Sequence, residues 1–557
     1  MAAEQGGTGY THIYAAKKIL TMNPAQPVAT HVAVRDGRIL AVGNEEEVYS
    51  WVEGDDAVEI DQRYADDVLL PGFVEGHSHL FEGVVWRYVY LGYFDRYGPD
   101  GRLWPGLKST DAVIERLQDF NAHIDEGEVL IGWGFDPIYF GDSRMTVRDL
   151  DQISATRPIV IMHASMHLMN VNTPMLREAG IDRFTDIDGV VKFDDGEPTG
   201  ELLEFAAMFP VTKYIGNPIR TLDHTPESLN NFAKICRGGG VTTATDLASM
   251  INADSIQTLS QVADEPLFPV RIVSAASGRV FGNDVQGCLD ALDELRHLAH
   301  DKLHLGIIKL VIDGSIQGFT ARVQWPGYYN GAPNGIWVIA PEELGKLVLE
   351  YHRAGAQLHI HTNGDEATEL AINAIERALI EYPRPDHRHT LQHCQMASAA
   401  QYRRMAKLGM CVNLFANHLF YWGDEHYEMT LGPERAQRMN ACQTALAHGV
   451  PLAIHSDAPV TPMGPLFTAW CAVNRVTASG RQLGEHERLT VEQALYAITM
   501  GAAYTLHMDH LIGSIEVGKY ADFCVLAQDP LEMPADQLRD IRVLDTVIGG
   551  FSTQDYD

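Results

Sequence analysis

The chain has 557 residues, with 74 acidic against 42 basic side chains and a formal net charge of −32. With 46% hydrophobic and 21% charged residues it has the composition of an ordinary globular protein. The acidic excess argues against nucleic acid and anionic membrane surfaces as partners, because both repel such a field.

The excess is spread along the chain, so it reads as a solvated surface. No apolar run approaches the ~18 residues of a spanning helix. Met1 to Gly9 has neither the basic region nor the apolar core of a signal peptide. The seven cysteines are odd in number, widely spaced and free of C-x-x-C pairs. Free thiols in a cytoplasmic protein are expected.

In chain order, Thr11 to Met22, His31 to Arg35 and Arg38 to Val42 read as strands, with the hairpin signal Asp36-Gly37 between the last two. Apolar or β-branched runs then alternate with helical stretches. The runs are Val68 to Val74, Val241 to Thr245, Val270 to Ser274, Gly306 to Ile312, Gln357 to Ile360, His389 to Gln392, Met410 to Leu414 and Pro451 to Ile454. The helical patterns include Glu342 to Ala354, Glu366 to Glu381, Ser398 to Leu408 and Pro433 to Ala447. Such alternation predicts an α/β fold, a (β/α)₈ barrel over 68–510. The interval from His79 to Gly240 is too long for one crossover. An insertion subdomain at about 80–240, with strands such as Val129 to Ile131 and Pro158 to Met162, is expected there. The end of the chain returns to short strands: Gly513 to Val517, Asp522 to Leu526 and Val543 to Ile548. Terminal strands need partners. The two ends, 1–67 and 511–557, are therefore expected to pair as a small composite β-sandwich.

The residues that follow the strands carry the chemistry. The first run ends in Glu75-Gly76-His77-Ser78-His79, and residues i and i+2 of an extended strand share a face. The fourth carries Lys309, the fifth His359 and His361, the sixth His393, and the eighth leads into His455-Ser456-Asp457. Barrel active sites are built at the C-terminal ends of the strands. Neutral imidazoles and a carboxylate converging there are the usual ligands of Zn²⁺ and similar divalent ions. Lys309 has two readings. It is a core lysine paired with Asp313, or a desolvated amine that adds CO₂ and becomes an anionic carbamate.

With these motifs the sequence resembles the metal-dependent amidohydrolase superfamily, and within it the branch containing N-substituted formamide deformylase. The resemblance runs from Ala33 to Ile39 and Pro71 to His79, through Met166-His167, Pro198 to Glu204, Lys309 to Gly314 and His361 to Asp365. It closes on His393, Ser456 to Pro459 and Gly513 to Asp522. It implies a hydrolase of carbon–nitrogen bonds other than peptide bonds, with one or two divalent ions, zinc first. His77 and His79 would bind the more buried ion, and His361 and His393 the second. A carboxylated Lys309 would bridge them, and Asp457 would be both ligand and catalytic base. His359 and His455 depart from the pattern, because relatives commonly carry other residues there.

The implied reaction is attack of a metal-generated hydroxide on an amide-type carbonyl, with N-substituted formamides or N-acyl amines as substrates. A ring deaminase and a carboxyl-lyase are the alternatives on the same frame, and a non-catalytic scaffold is a third. His361 is followed by Thr362-Asn363-Gly364, without the glutamate three residues on that is common in deaminating relatives. His167, His418, Trp422, Trp325 and Trp133 are candidates for binding a substrate with an apolar or aryl substituent. Asp365 is expected to cap a helix or to orient His361. A homodimer is expected.

Overall fold

The computed structural model describes residues 10–554 and 556, except 55–56, 142–143, 217–224 and 279–283. Met1 to Gly9, where no signal peptide was expected, lies outside them. Eight parallel strands form the central sheet. They are β1 (Phe73–Glu75), β2 (Val241–Ser249), β3 (Arg271–Ser277), β4 (Leu303–Val311), β5 (Gln357–Thr362), β6 (Thr390–His393), β7 (Cys411–Leu414) and β8 (Leu452–Ile454). Each pairs with its neighbour in chain order. Beyond β8 and β1 the ring closes at the mouth: Asp457 N–H donates to His77 O and His79 N–H to Ala458 O. The strands are buried on both faces, as a parallel sheet under helices requires.

The run Val68 to Val74 is divided between two sheets. Val58–Pro71 is a strand of the terminal sheet, and β1 begins at Phe73. The switch is at Gly72, where a Cβ would lie 1.9 Å from Thr242 Oγ1. Only glycine lets the two layers approach so closely.

The two ends combine, as expected. They form one continuous mixed sheet of seven strands in place of two stacked sheets. Its order is Phe551–Ser552, Val543–Ile548, Phe523–Leu526, Val58–Pro71, Thr11–Leu20, Val28–Arg35 and Arg38–Gly43. Alternate residues serve opposite faces. Tyr14, Val32 and Val34 enter one apolar cluster, while Ile13 and Ala33 meet Val48 and Val52 of the helix Glu45–Val52 on the other. Gly513 to Val517 forms turns rather than a strand. A buried bidentate pair, Arg271 Nε and Nη2 to Asp522 at 2.6 and 2.9 Å, ties this sheet to β3.

The insertion between β1 and β2 builds a six-stranded sheet with two apolar clusters of its own. It includes Leu130–Phe135, Ile159–His163, Leu168–Val171 and Pro198–Leu203. Helices Pro341–Arg353, Asp365–Glu381 and Ala399–Leu408 lie where their periodicity placed them. The pattern Pro433 to Ala447 is broken into Gly432–Ala436 and Cys442–Ala447. The cause is the fully buried Arg475, whose guanidinium takes the carbonyls of Met439, Asn440 and Leu483. A buried cation needs acceptors, and carbonyls released from a helix supply them. Among the described residues no helix is long and apolar enough to cross a membrane. All seven cysteines are free and buried.

Candidate metal centre

His77, His79, Lys309, His361, His393 and Asp457 line one cleft at the C-terminal ends of the strands. Register explains the convergence. Val311 pairs with His361 across β4 and β5, and Thr362 with His393 across β5 and β6, so neighbouring strand ends rise to one level. Non-glycine residues with positive φ gather here: Met166 (60°), Glu204 (62°), His393 (66°), Cys394 (46°) and Asp457 (55°). Such backbone costs of order 1–3 kcal/mol per residue and clusters where a side chain must be aimed.

The donors suit a divalent ion. Asp457 Oδ1 lies 3.3 Å from His77 Nε2 and 3.2 Å from His79 Nε2. Two atoms held at ~2.0–2.1 Å from one tetrahedral ion are about 3.3 Å apart. His79 Nδ1, His393 Nδ1 and Asp457 Oδ1 are buried without a hydrogen-bond partner. Burial and nearby positive groups hold the His77, His361 and His393 rings well below the ordinary imidazole value. They are therefore neutral, the form that binds metal.

A hydrogen-bond chain fixes the His77 tautomer. His359 Nε2 lies 3.0 Å from the Thr505 carbonyl, so that nitrogen carries the hydrogen. His359 Nδ1 then accepts from Gln392 Nε2 at 2.8 Å. Gln392 Oε1 in turn accepts from His77 Nδ1 at 2.7 Å, which leaves the His77 lone pair on Nε2. Behind the first strand, Glu75 accepts from Ser456 Oγ at 2.7 Å and from the His77 amide at 3.3 Å, joining β1 to the loop after β8. Burial pushes its carboxyl up to about 8.

Lys309 does not pair with Asp313. Asp313 instead accepts the amides of Arg322, Asn363 and Gly364 at 2.9–3.0 Å. Lys309 Nζ is 3.5 Å from His77 Nε2, and burial brings its amine down to about 7. Asp365 neither caps the helix nor reaches His361: Gly364 is the N-cap, and the Asp365 carboxylate accepts the Gln324 amide at 2.8 Å.

His167 also lines the cleft, and its Nδ1 lies 2.8 Å from Glu204. The other expected substrate residues are elsewhere. Trp133 is fully buried in the insertion, edge-on to Trp86 at 5.1 Å. Trp325 is 94% exposed. Trp422 donates to Asp136 at 3.0 Å and stacks on His418, which sits behind Phe415. The apolar lining includes Phe81, Met166, Phe205, Met250 and Val460. Asp246 is a further lining residue, accepting from the Leu80 amide through Oδ1 and leaving Oδ2 unpartnered. Sequence reasoning assigned no role to Glu204, Gln392 or Asp246. The first two lie in segments it did quote, Glu204 at the end of the Pro198 to Glu204 motif and Gln392 beside His393.

Imidazoles, a lysine and a carboxylate at the ends of eight parallel strands define a barrel enzyme of the metal-dependent hydrolase class. The chain belongs to the Amidohydrolase family, whose profile matches residues 65–553. It is 27% identical over 543 residues to the N-substituted formamide deformylase of Arthrobacter pascens, covering 96% of each chain. It is 26% identical over 549 residues to LONG AFTER FAR-RED 3 of Arabidopsis thaliana, covering 96% of this chain and 89% of that one. Its fold is similar to that of an uncharacterized metal-dependent hydrolase from Pyrococcus horikoshii OT3. The TM-score is 0.71 at 20% identity, over 94% of this chain and 99% of that one.

Proposed function

We propose that the protein hydrolyses an amide-type C–N bond in a small N-substituted formamide or N-acyl amine. A divalent ion, zinc first among the candidates, would be held by His77, His79, Lys309, His361, His393 and Asp457. The observation that carries this reading is the convergence of all six in one cleft, with buried donor atoms left unpartnered. The likeness to the Arthrobacter deformylase supports the choice of formamides.

When bound, the ion would supply a water acidified toward about pH 7 and a polarised carbonyl. Asp457 accepts the water proton and delivers it to the leaving nitrogen. Burial pushes the Asp457 carboxyl up, but the His79 imidazole beside it, with His455 and Lys309 nearby, outweighs burial and holds it below the usual range. It therefore stands ionised and ready to take a proton. His167 donates through Nδ1 to Glu204, and only the doubly protonated ring would have a second N–H, on Nε2, to give to the substrate carbonyl. The neutral Lys309 amine adds to the carbon of CO₂, forming an N–C bond and releasing one proton, and the carbamate adds an anionic oxygen donor to the site. Phe81, Phe205, Met166 and Met250 favour an apolar or aryl substituent.

The test is a panel of N-substituted formamides, N-acyl amines, carbamates and aminopyrimidines assayed on zinc-loaded protein. Release of formate or carboxylate with the free amine is expected. Ammonia release from the aminopyrimidines alone would replace this reading with a deaminase.

A further inference from the structure

His455 is the histidine the sequence pattern did not assign. It is fully buried, and neither Nδ1 nor Nε2 has a hydrogen-bond partner. An imidazole carries at least one N–H and, when neutral, one lone pair. Leaving such groups buried and unmet costs roughly 1–3 kcal/mol each. Its ring is held between His77, 4.6 Å away at 19°, and Phe415, 4.8 Å away at 26°. His393 lies 5.0 Å off at 61°. One ring nitrogen from each of His77, His393 and His455 falls within 4.8 Å of the others.

His77 therefore belongs to two donor triads. One is His77, His79 and Asp457; the other is His77, His393 and His455. Its Nδ1 is committed to Gln392, so Nε2 is its single free donor. One lone pair binds one ion at a time. The two triads are thus alternative seats, not two simultaneous sites.

We propose that His455 is a metal-binding residue which, with His77 and His393, forms an all-imidazole seat for a divalent transition ion, in competition with the His77–His79–Asp457 seat. Three neutral nitrogens select Zn²⁺, Co²⁺, Ni²⁺ or Cu²⁺ over Mg²⁺ and Mn²⁺. With the ion in the imidazole seat, the Asp457 carboxylate is free to take a proton. The inference rests on the metal-hydrolase reading, and its test separates the two. A packing role for His455 would be met equally well by phenylalanine, which keeps the stack on His77 and Phe415.

The experiment compares wild type with His455→Phe. Zn²⁺ affinity is measured by competition with a chromophoric chelator. Imidazole nitrogens are counted by pulsed EPR on protein given less than one equivalent of Cu²⁺. Three imidazoles in wild type, two in His455→Phe and at least a tenfold loss of Zn²⁺ affinity are expected. Affinity within twofold and an unchanged count overturn the proposal. If His455→Phe does not fold, His455→Leu takes its place, and an unchanged imidazole count with affinity within twofold there overturns it. Wild type that binds no divalent ion defeats both readings. Wild type that loses one imidazole on substitution of His455 but cleaves no amide retains this seat and defeats only the proposed function.

Discussion

The Nδ1–H of His167 meets the Glu204 carboxylate at 2.8 Å, while Glu204 itself sits at φ 62°. A left-handed backbone is thus kept at a residue whose side chain aims a cleft histidine. Glu204→Gln is expected to lower kcat/KM by 10–100-fold, the usual effect of removing a group that orients a site residue. Glu204→Gly and Glu204→Ala should be equally poor catalysts. The glycine variant should nevertheless be the more stable, by about 1 kcal/mol, because only glycine adopts this φ without strain. Denaturant unfolding of the two variants checks this.

Gln392 faces two rings at once, donating to His359 and accepting from His77. Gln392→Leu leaves both buried nitrogens unmet, and a loss of about 2–4 kcal/mol in stability follows. Gln392→Glu should bind metal 10–100-fold more weakly. A carboxylate accepts from His77 but has no hydrogen for His359, unless His359 gives up its bond to Thr505 O. Nitrogen-15 NMR of the His77 ring should find Nδ1 protonated in wild type and a mixture of tautomers in Gln392→Leu.

Lys309 gives the metal-free protein a distinct pH dependence. Burial lowers its amine from 10.5 to about 7 in the folded chain. Between these values the unfolded chain holds a proton at this site that the folded chain lacks. The Lys309 contribution to stability therefore rises with pH across this window, and the destabilisation is complete below pH 7. Lys309→Met should remove several kcal/mol of that slope, as unfolding midpoints from pH 6 to 10 would report. Lys309→Ala should abolish turnover, and acetate or propionate should restore part of it if an anionic bridge is what the site lost.

Asp457→Asn keeps a side chain of the same shape beside His77 and His79. It should retain most of its metal by elemental analysis and lose turnover by several decades, since the amide takes up no proton. Normal rates would rule out Asp457 as the proton carrier.

Much of the floor of the site was legible in the sequence because barrel geometry turns strand ends into a list of neighbours. His77, His79, Lys309, His361, His393 and Asp457 each lie in or just after a recognisable run. The walls were not legible. Trp133 and Trp422 look like binding residues by type, but burial against Trp86 and a hydrogen bond to Asp136 hold them in the packing. Glu204 reaches His167 from the far end of the insertion motif, a contact set by tertiary pairing of Leu168 with Leu203 and not by any local period. The limits of two elements failed for similar reasons. The close approach of Gly72 to Thr242 and the carbonyl demand of Arg475 both come from residues distant in the chain.

The chain thus divides its labour between two segments. Each donor group projects from the β/α frame, whereas His167, Met166 and Phe205 arrive from a separate sheet with its own apolar clusters. That sheet can accept new residues at the rim while the chemistry beneath is left intact. Exchange of the 80–240 segment between related proteins is therefore a route to new substrate scope that need not disturb the reacting groups.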